Sequence, residues 1–133
     1  MRLSSKKRIL YVDDDRDSCE LMSLMLTTFL NTGCQIMTAS TPCEAASLMQ
    51  NDAFDLYILD YTLPDISGVE LCRRIREVEP EKPIMFYSGM ALEEDKRRAL
   101  KAGANEYLVK PNDLDKLVET VENLLQRSPA AHH

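Results

Sequence analysis

Acidic side chains are concentrated directly behind an apolar run near the start of the chain. Asp13, Asp14 and Asp15 follow residues 9–12 (ILYV) without a break. Adjacent carboxylates repel one another, so such a cluster is costly unless a cation lies beside it. A further aspartate, Asp60, ends the apolar run at residues 56–59. We interpret these carboxylates as a candidate cation site.

Two later apolar runs also end in a residue whose side chain could bind a phosphoryl group. One run ends at Ser88 and the other at Lys110. Aspartate oxygens without a nearby His or Cys favour a hard ion, and Mg²⁺ takes one or two carboxylates while still accepting a phosphate oxygen. An ammonium and a hydroxyl group suit the remaining charge of a tetrahedral phosphoryl group. The residues therefore predict Mg²⁺-dependent phosphoryl chemistry.

Each of these residues also has a purely structural interpretation. Aspartate is favoured at helix N-caps and in first turns, and for Asp15 and Asp17 this interpretation is as good as the functional one. Ser88 and Lys110 each precede a typical turn residue, Gly or Pro. It is the joint placement of these side chains after apolar runs that favours the functional interpretation.

The elements that must position these side chains alternate along the chain. Strands are predicted at residues 9–12, 35–39, 56–59, 84–87 and 106–109, and helices at 17–30, from Pro42 onward, at 67–78, 93–102 and 114–125. Strands 1, 3 and 4 are continuous apolar runs, as in a parallel sheet buried on both faces. We predict a (βα)₅ doubly wound α/β fold with helices on both faces. With strand order 2-1-3-4-5, the terminal groups converge at the carboxyl edge.

Composition and charge argue against several classes of protein. The chain has 133 residues, the length of one domain, and a net charge of −6, which argues against non-specific nucleic-acid binding. No apolar run approaches the ~20 residues that cross a bilayer. The N-terminus also lacks the apolar segment of a secretory signal. We expect a cytoplasmic domain that contacts neither nucleic acid nor membrane.

Thiols and imidazoles play no part in the candidate site. The four cysteines, at positions 19, 34, 43 and 72, form no CxxC pair and are interpreted as reduced thiols. The two histidines, His132 and His133, follow Ser-Pro-Ala-Ala and are interpreted as a tag remnant. Without them the domain contains no histidine, which excludes Ser-His-Asp and Cys-His catalysis and His-based metal sites.

Four motifs resemble, in order and spacing, the receiver domain of two-component response regulators: ILYVDDD, DLYILDYTLPDISGVEL, FYSG and GANEYLVKP. The resemblance extends over about residues 7–126. It implies a flavodoxin-like five-stranded parallel sheet and a phosphoacceptor module that catalyses only its own phosphorylation and dephosphorylation. On this basis residues 8–127 form the receiver domain, residues 1–7 an N-terminal extension and residues 128–133 a C-terminal tail.

The resemblance also implies a role for each matching position. Asp60 matches the phosphoacceptor, and Asp13 and Asp14 match the acidic pair that binds Mg²⁺ together with Asp60 and the backbone carbonyl of Thr62. The phosphoryl group would come from a histidine kinase or a histidine phosphotransfer protein.

Three further positions match the phosphate-binding and switching residues of the family. Lys110 matches the phosphate-binding lysine, whose bond to Pro111 is usually cis; Ser88 matches the switch hydroxyl and Tyr107 the switch aromatic. The resemblance further implies that phosphorylation draws Ser88 inward and that Tyr107 turns into the space it leaves. The result is a changed surface on helix 4, strand 5 and helix 5 for a downstream effector. The identity of kinase and effector stays open, as does whether the chain is a stand-alone regulator or part of a larger protein.

Other functions on a similar framework are weaker matches. A haloacid-dehalogenase-like Mg²⁺-dependent phosphatase also uses a strand-end Asp, Mg²⁺ and Lys, but it requires Thr or Val where this chain has Asp17. A non-phosphorylated interaction domain would not need the full set of three aspartates, one serine and one lysine. A flavodoxin-like nucleotide binder requires a Gly-rich loop after strand 1, and none follows here.

Overall fold

A parallel five-stranded sheet forms the centre of the computed structural model, which describes residues 6–31 and 33–127. The strands are β1 (Lys7–Val12), β2 (Cys34–Ala39), β3 (Leu56–Leu59), β4 (Ile84–Ser88) and β5 (Glu106–Val109). The helices are α1 (Arg16–Phe29), α2 (Pro42–Asn51), α3 (Gly68–Val78), α4 (Glu93–Lys101) and α5 (Leu117–Arg127). The sheet order is β2-β1-β3-β4-β5 with every pair parallel. The predicted (βα)₅ doubly wound fold is therefore confirmed.

Two apolar layers enclose the sheet, because successive side chains of a strand point to opposite faces. On β1, Leu10 and Val12 join the layer that contains residues of α2, α3 and α4. Ile9 and Tyr11 join the other layer, with residues of α1 and α5. All residues of β3 and β4 are buried, as expected for strands covered on both faces. The helices thus lie on both faces, as predicted.

Short polar side chains fix where the first three helices begin. The side chains of Asp15, Thr41 and Ser67 cap α1, α2 and α3 by accepting hydrogen bonds from backbone N–H groups of the first turn. Such caps contribute about 1 kcal/mol each to helix stability. The N-cap interpretation of Asp15 is confirmed, and Asp17 lies in the first turn of α1.

The chain after β5 differs from the single helix predicted at 114–125. Leu114–Lys116 forms a 3₁₀ turn, and the α-helix begins only at Leu117. The backbone N–H of Leu114 donates to the carbonyl of Pro111. Hydrogen bonds between residues three apart are typical of the 3₁₀ conformation. Helical periodicity does not distinguish the two, because both place apolar residues three or four apart.

Four free thiols are present, at Cys19, Cys34, Cys43 and Cys72, as predicted. Within the described ranges, no helix has both the length and the apolar character needed to cross a membrane. His132 and His133 lie outside the described residues.

Candidate functional site

The carboxyl edge of the sheet holds the predicted site residues in place through their own backbones. Asp13 N donates to the carbonyl of Ala39 and Asp60 N to that of Val12, each at 3.0 Å. Lys110 N donates to the carbonyl of Ser88 at 2.8 Å. These bonds extend the strand ladders by one residue, so the site is built on the rigid sheet rather than on loose loops.

Lys110 joins the two carboxylates that end β1 and β3. Its Nζ lies 2.5 Å from Asp13 Oδ2 and 3.2 Å from Asp60 Oδ2. Burial disfavours the charge of Lys110, but the hydrogen bond to Asp13 and the charge of Asp60 outweigh it, so the pKa of the ammonium lies above its ordinary value. The ammonium thus holds the two carboxylates together despite their repulsion.

Asp13 is almost fully buried, and its oxygens are held by three donors. The hydroxyl of Tyr11 donates to Oδ2 at 2.6 Å, and the backbone N–H of Asp15 donates to Oδ1 at 2.9 Å. Burial and the hydrogen bond to Asp13 raise the pKa of Tyr11 well above its ordinary value, so Tyr11 remains a donor. With Lys110 as the third donor, the buried carboxylate is fully compensated.

Asp60 is the more accessible carboxylate of the ion-paired set. Its Oδ1 accepts hydrogen bonds from Ser88 Oγ at 2.7 Å and from Thr62 N at 3.3 Å. Its side chain is 14% exposed, compared with 1% for Asp13. Asp60 is therefore polarised by neighbouring donors and can still be reached from solvent.

The loop after Asp60 is held tightly against α3. The backbone N–H of Gly68 donates to the carbonyl of Tyr61 at 2.8 Å. Asp65 has a φ of 72°, in the left-handed region that aspartate tolerates better than most residues. The chain therefore turns back tightly between Asp60, at the edge of the sheet, and the start of α3.

Tyr107 lies close to Ser88 and is partly buried. Its hydroxyl donates to the carbonyl of Met90 at 2.5 Å, and Met90 N donates in turn to Ser88 Oγ at 3.3 Å. The Tyr107 ring stacks on Phe86 with the centroids 5.5 Å apart. Burial raises the pKa of Tyr107 to about 12. The two predicted switch residues therefore meet in one hydrogen-bonded group.

The oxygen donors at this edge suit Mg²⁺ better than a soft metal ion or an ion that needs several protein ligands. Asp13 and Asp60 lie within reach of a common cation, as Lys110 shows, and Asp14 is exposed beside them. Within residues 6–31 and 33–127, no three Asp, Glu, Cys or His side chains are grouped closely enough to hold a metal between them. Mg²⁺ does not require such a group, because it keeps several waters and takes one or two carboxylates.

Sequence reasoning missed three residues that shape the site. Tyr11 bonds to Asp13, Phe86 stacks on Tyr107, and Ser18 Oγ lies 3.4 Å from Lys110 Nζ. The two-residue period of a strand could have indicated Tyr11 and Phe86, which precede Asp13 and Ser88 on the same strand face. Ser18 carried no such signal, because it approaches Lys110 only through the tertiary fold.

The peptide bond between Lys110 and Pro111 is cis, as the resemblance implied. Asp113 closes the following turn: its Oδ2 accepts a hydrogen bond from Val109 N at 2.9 Å. This hydrogen bond lowers the pKa of Asp113.

Comparison with known proteins identifies relatives over nearly the whole chain. The family model of the response regulator receiver domain matches residues 9–122. The cell cycle response regulator CtrA of Brucella ovis is 34% identical over 121 residues, which are 91% of this chain and 51% of that protein. The chain therefore spans about half the length of the curated relatives it matches.

Solved structures agree with these relatives in fold. The crystal structure of a CheY-like response regulator receiver domain protein from Methanospirillum hungatei is 31% identical, with a TM-score of 0.85, and the match covers 93% of this chain and 97% of that one. The BeF3-activated DrrB receiver domain is 30% identical, with a TM-score of 0.81, and the match covers 92% and 100%.

Proposed function

The chain belongs to the response regulator receiver domains, signalling modules of two-component systems rather than conventional enzymes, and on that premise we propose that Asp60 accepts a phosphoryl group. The donor is the phosphohistidine of a histidine kinase or a histidine phosphotransfer protein. The single observation that carries the proposal is the position of Asp60, whose carboxylate is reachable from solvent and bonded to both Ser88 and Lys110.

The transfer itself needs positioning and charge more than proton chemistry. An Asp60 carboxylate oxygen attacks phosphorus in line, the new O–P bond forms and the P–N bond breaks, with its electron pair leaving on the imidazole nitrogen. Lys110 contacts Asp60, so its ammonium is close enough to stabilise the negative charge that develops on the phosphoryl oxygens. Ser88 lies on the other carboxylate oxygen and orients the acceptor.

Mg²⁺ is the proposed cofactor of this site. Asp14, Asp60 and the backbone carbonyl of Thr62 would hold it directly, with Asp13 acting partly through water, and the bound ion would supply positive charge to the phosphoryl oxygens. Supporting this assignment, the donors are all hard oxygen atoms, and one of them, Asp14, is exposed.

The proposed output is a change of surface rather than a second reaction. Phosphorylation adds negative charge next to Ser88, and the Ser88–Met90–Tyr107 group links that position to α4 and β5. We place the effector-binding surface on α4, β5 and α5. The unit that carries this function is proposed to be residues 8–127, acting in the cytoplasm. In the structure β1 begins one residue earlier, at Lys7, and α5 ends at Arg127.

The phosphatase alternative receives no support from the relatives found. A phosphatase would use the same strand-end Asp and lysine, but one experiment separates it from the proposal. The protein is incubated with acetyl phosphate and Mg²⁺, and intact mass is followed with time. The proposal predicts one added phosphoryl group per chain, lost in Asp60→Asn and in the presence of a chelator. Multiple turnover of p-nitrophenyl phosphate, with no stable adduct on the protein, would support the phosphatase instead.

A further inference from the structure

The first turn of α1 lies beside the ammonium group of Lys110. Ser18 belongs to that turn, and its Oγ lies 3.4 Å from Lys110 Nζ. The two residues are 92 positions apart in the chain, so only the packing of α1 near the end of β5 brings them together. Ser18 is half-buried, and it is neither the proposed phosphoacceptor nor a proposed ligand of Mg²⁺. Its contact with Lys110 therefore requires a separate explanation.

The ammonium of Lys110 has an acceptor for each of its three hydrogens. Its Nζ lies 2.5 Å from Asp13 Oδ2, 3.2 Å from Asp60 Oδ2 and 3.4 Å from Ser18 Oγ. The first two acceptors are carboxylates, whereas the third is a neutral hydroxyl. Ser18 thus completes the set of acceptors around the ammonium, and it holds the nitrogen from the side of α1.

Asp15 fixes the orientation of the Ser18 hydroxyl. Ser18 Oγ donates its single hydrogen to Asp15 Oδ2 at 2.9 Å. The lone pairs of Oγ are then free to accept a hydrogen bond from Lys110. Asp15 is itself fixed as the N-cap of α1, where its side chain accepts from Asp17 N. The hydroxyl that faces Lys110 is therefore held by the start of the helix.

Tyr87 limits the movement of the ammonium on another side. Lys110 Nζ lies 5.6 Å from the centre of the Tyr87 ring, within the range of a favourable cation–π contact. Tyr87 is buried and belongs to the apolar layer formed with α1 and α5. A lysine side chain is flexible, so its backbone alone does not fix the position of its nitrogen. The position of Nζ therefore depends on these contacts.

Phosphoryl transfer to Asp60 changes one of the three hydrogen bonds of Lys110. As negative charge develops on the phosphoryl oxygens, the N–H group that points to Asp60 is the one closest to them. The hydrogen bonds to Asp13 and Ser18 do not take part in this exchange. They can therefore hold the nitrogen in place while the third N–H group turns to the phosphoryl group.

We propose that Ser18 is a positioning residue for phosphoryl transfer, because its hydroxyl holds the Lys110 ammonium beside Asp60. The inference rests on the proposed role of Asp60 as phosphoacceptor. Donors accelerate a reaction most when they are already aimed at the atoms on which charge develops, and a small displacement of such a group is costly. Ser18→Ala should therefore slow the transfer although Lys110 and its charge remain.

The rate of phosphate uptake tests this role. Each protein is incubated with acetyl phosphate and Mg²⁺, and the initial rate of adduct formation is followed by intact mass. Ser18→Ala should react about three- to tenfold more slowly than the wild type. Ser18→Thr keeps a hydroxyl at this position and should recover most of the rate. Alanine is a better helix former than serine, so Ser18→Ala should still form the first turn of α1.

The matched control is Ser23→Ala, the same substitution further along the same helix. Ser23 is half-buried like Ser18, and it lies in the middle of α1, away from the end that carries Asp15. This variant should take up phosphate at the wild-type rate. The Tm of every variant is measured alongside, which separates a slower transfer from a general loss of stability.

The ammonium of Lys110 can also be observed directly, without a phosphate donor or Mg²⁺. In ¹⁵N NMR of the lysine side chains, the Lys110→Met spectrum identifies the resonance of interest. An ammonium whose hydrogens are all bonded exchanges them slowly with water. In Ser18→Ala this exchange should be several-fold faster than in the wild type, and in Ser23→Ala it should be unchanged. A role of Ser18 in helix capping alone would change neither the exchange nor the rate of uptake.

Two outcomes overturn the proposal. One is phosphate uptake by Ser18→Ala at the wild-type rate. The other is an unchanged exchange rate of the Lys110 ammonium in that variant, whatever its Tm. Failure of the proposed function has a different signature: no protein, the wild type included, would then acquire a phosphoryl group. The role of Ser18 in transfer would fall with it, whereas the ammonium exchange would still show whether Ser18 holds Lys110.

Discussion

Gly68 packs so closely against Asp60 that no side chain fits between them. A Cβ atom at position 68 would lie far inside contact distance of the Asp60 carbonyl oxygen, 2.9 Å from its carbonyl carbon and 3.0 Å from Tyr61 Cα. The atoms in the way are backbone, so they cannot rotate aside. The first residue of α3 therefore sets the position of the proposed phosphoacceptor.

This contact predicts the effect of adding one methyl group. Gly68→Ala should lower the free energy of unfolding by about 2 kcal/mol or more, because the Asp60 backbone must shift. It should also slow phosphate uptake from acetyl phosphate. Gly89→Ala is the control, since a Cβ there meets nothing within 4 Å. Chemical denaturation and mass spectrometry measure both effects; equal stability of the two variants would contradict the close contact.

Removal of the Lys110 charge should weaken both fold and function. Lys110→Met leaves Asp13 buried with one donor fewer and without a positive neighbour. Because Lys110 is partly exposed, the expected loss of stability is about 1–3 kcal/mol, below that of a fully buried pair. Phosphate uptake should fall at least tenfold. Lys116→Met removes an exposed lysine that pairs with Asp113 and should change stability by less than about 0.5 kcal/mol.

Mg²⁺ should stabilise the folded protein if the proposed site binds it. A ligand at one hundred times its Kd adds about 2.7 kcal/mol, which raises the Tm by several degrees in a domain of this size. Scanning calorimetry at matched ionic strength, with and without Mg²⁺, measures the shift. Asp14 is exposed, so Asp14→Asn should reduce the shift without unfolding the protein. A wild-type Tm that does not respond to millimolar Mg²⁺ would argue against the site.

Alkaline pH should unfold the protein through its buried phenols. Burial raises the pKa of Tyr107 to about 12, and that of Tyr57 is raised as well. Their neutral forms are favoured in the folded state, so this stability is complete below pH 10, the ordinary pKa of tyrosine, and is lost as the pH rises toward 12. Denaturant titrations from pH 8 to 12 should show a falling free energy of unfolding. In Tyr107→Phe the free energy of unfolding should fall less steeply over this range. A wild-type free energy of unfolding that does not change between pH 8 and 12 would contradict the prediction.

The four thiols should differ widely in reactivity. Cys43 is exposed, whereas Cys72 is fully buried and burial raises its thiol pKa to about 11. The thiolate is the reactive form, so an alkylating reagent at neutral pH should modify Cys43 first and Cys72 only on unfolding. Peptide mapping after timed alkylation measures the order. Early modification of Cys72 in the folded protein would show that the α3 side of the core opens more readily than its packing indicates.

Local signals in the sequence determined the framework of the protein. Apolar runs and helical spacing are set by neighbours along the chain, so they predicted the elements to within a few residues. The rule that ligands lie at the carboxyl ends of parallel strands then predicted that Asp13, Asp60, Ser88 and Lys110 lie together at one edge of the sheet, as they do. The last helix was predicted three residues too long at its start, because a 3₁₀ turn carries the same apolar spacing.

Only the tertiary structure decided which groups contact one another. Lys110 is 97 residues from Asp13 in the chain, and its choice of partners depends on how β1, β3 and β5 are placed in the sheet. The stacking of Phe86 on Tyr107 depends likewise on the register of β4 with β5. Hydrogen bonds and ring contacts act over a few ångströms, and local periodicity carries no information about which distant segments the fold brings that close.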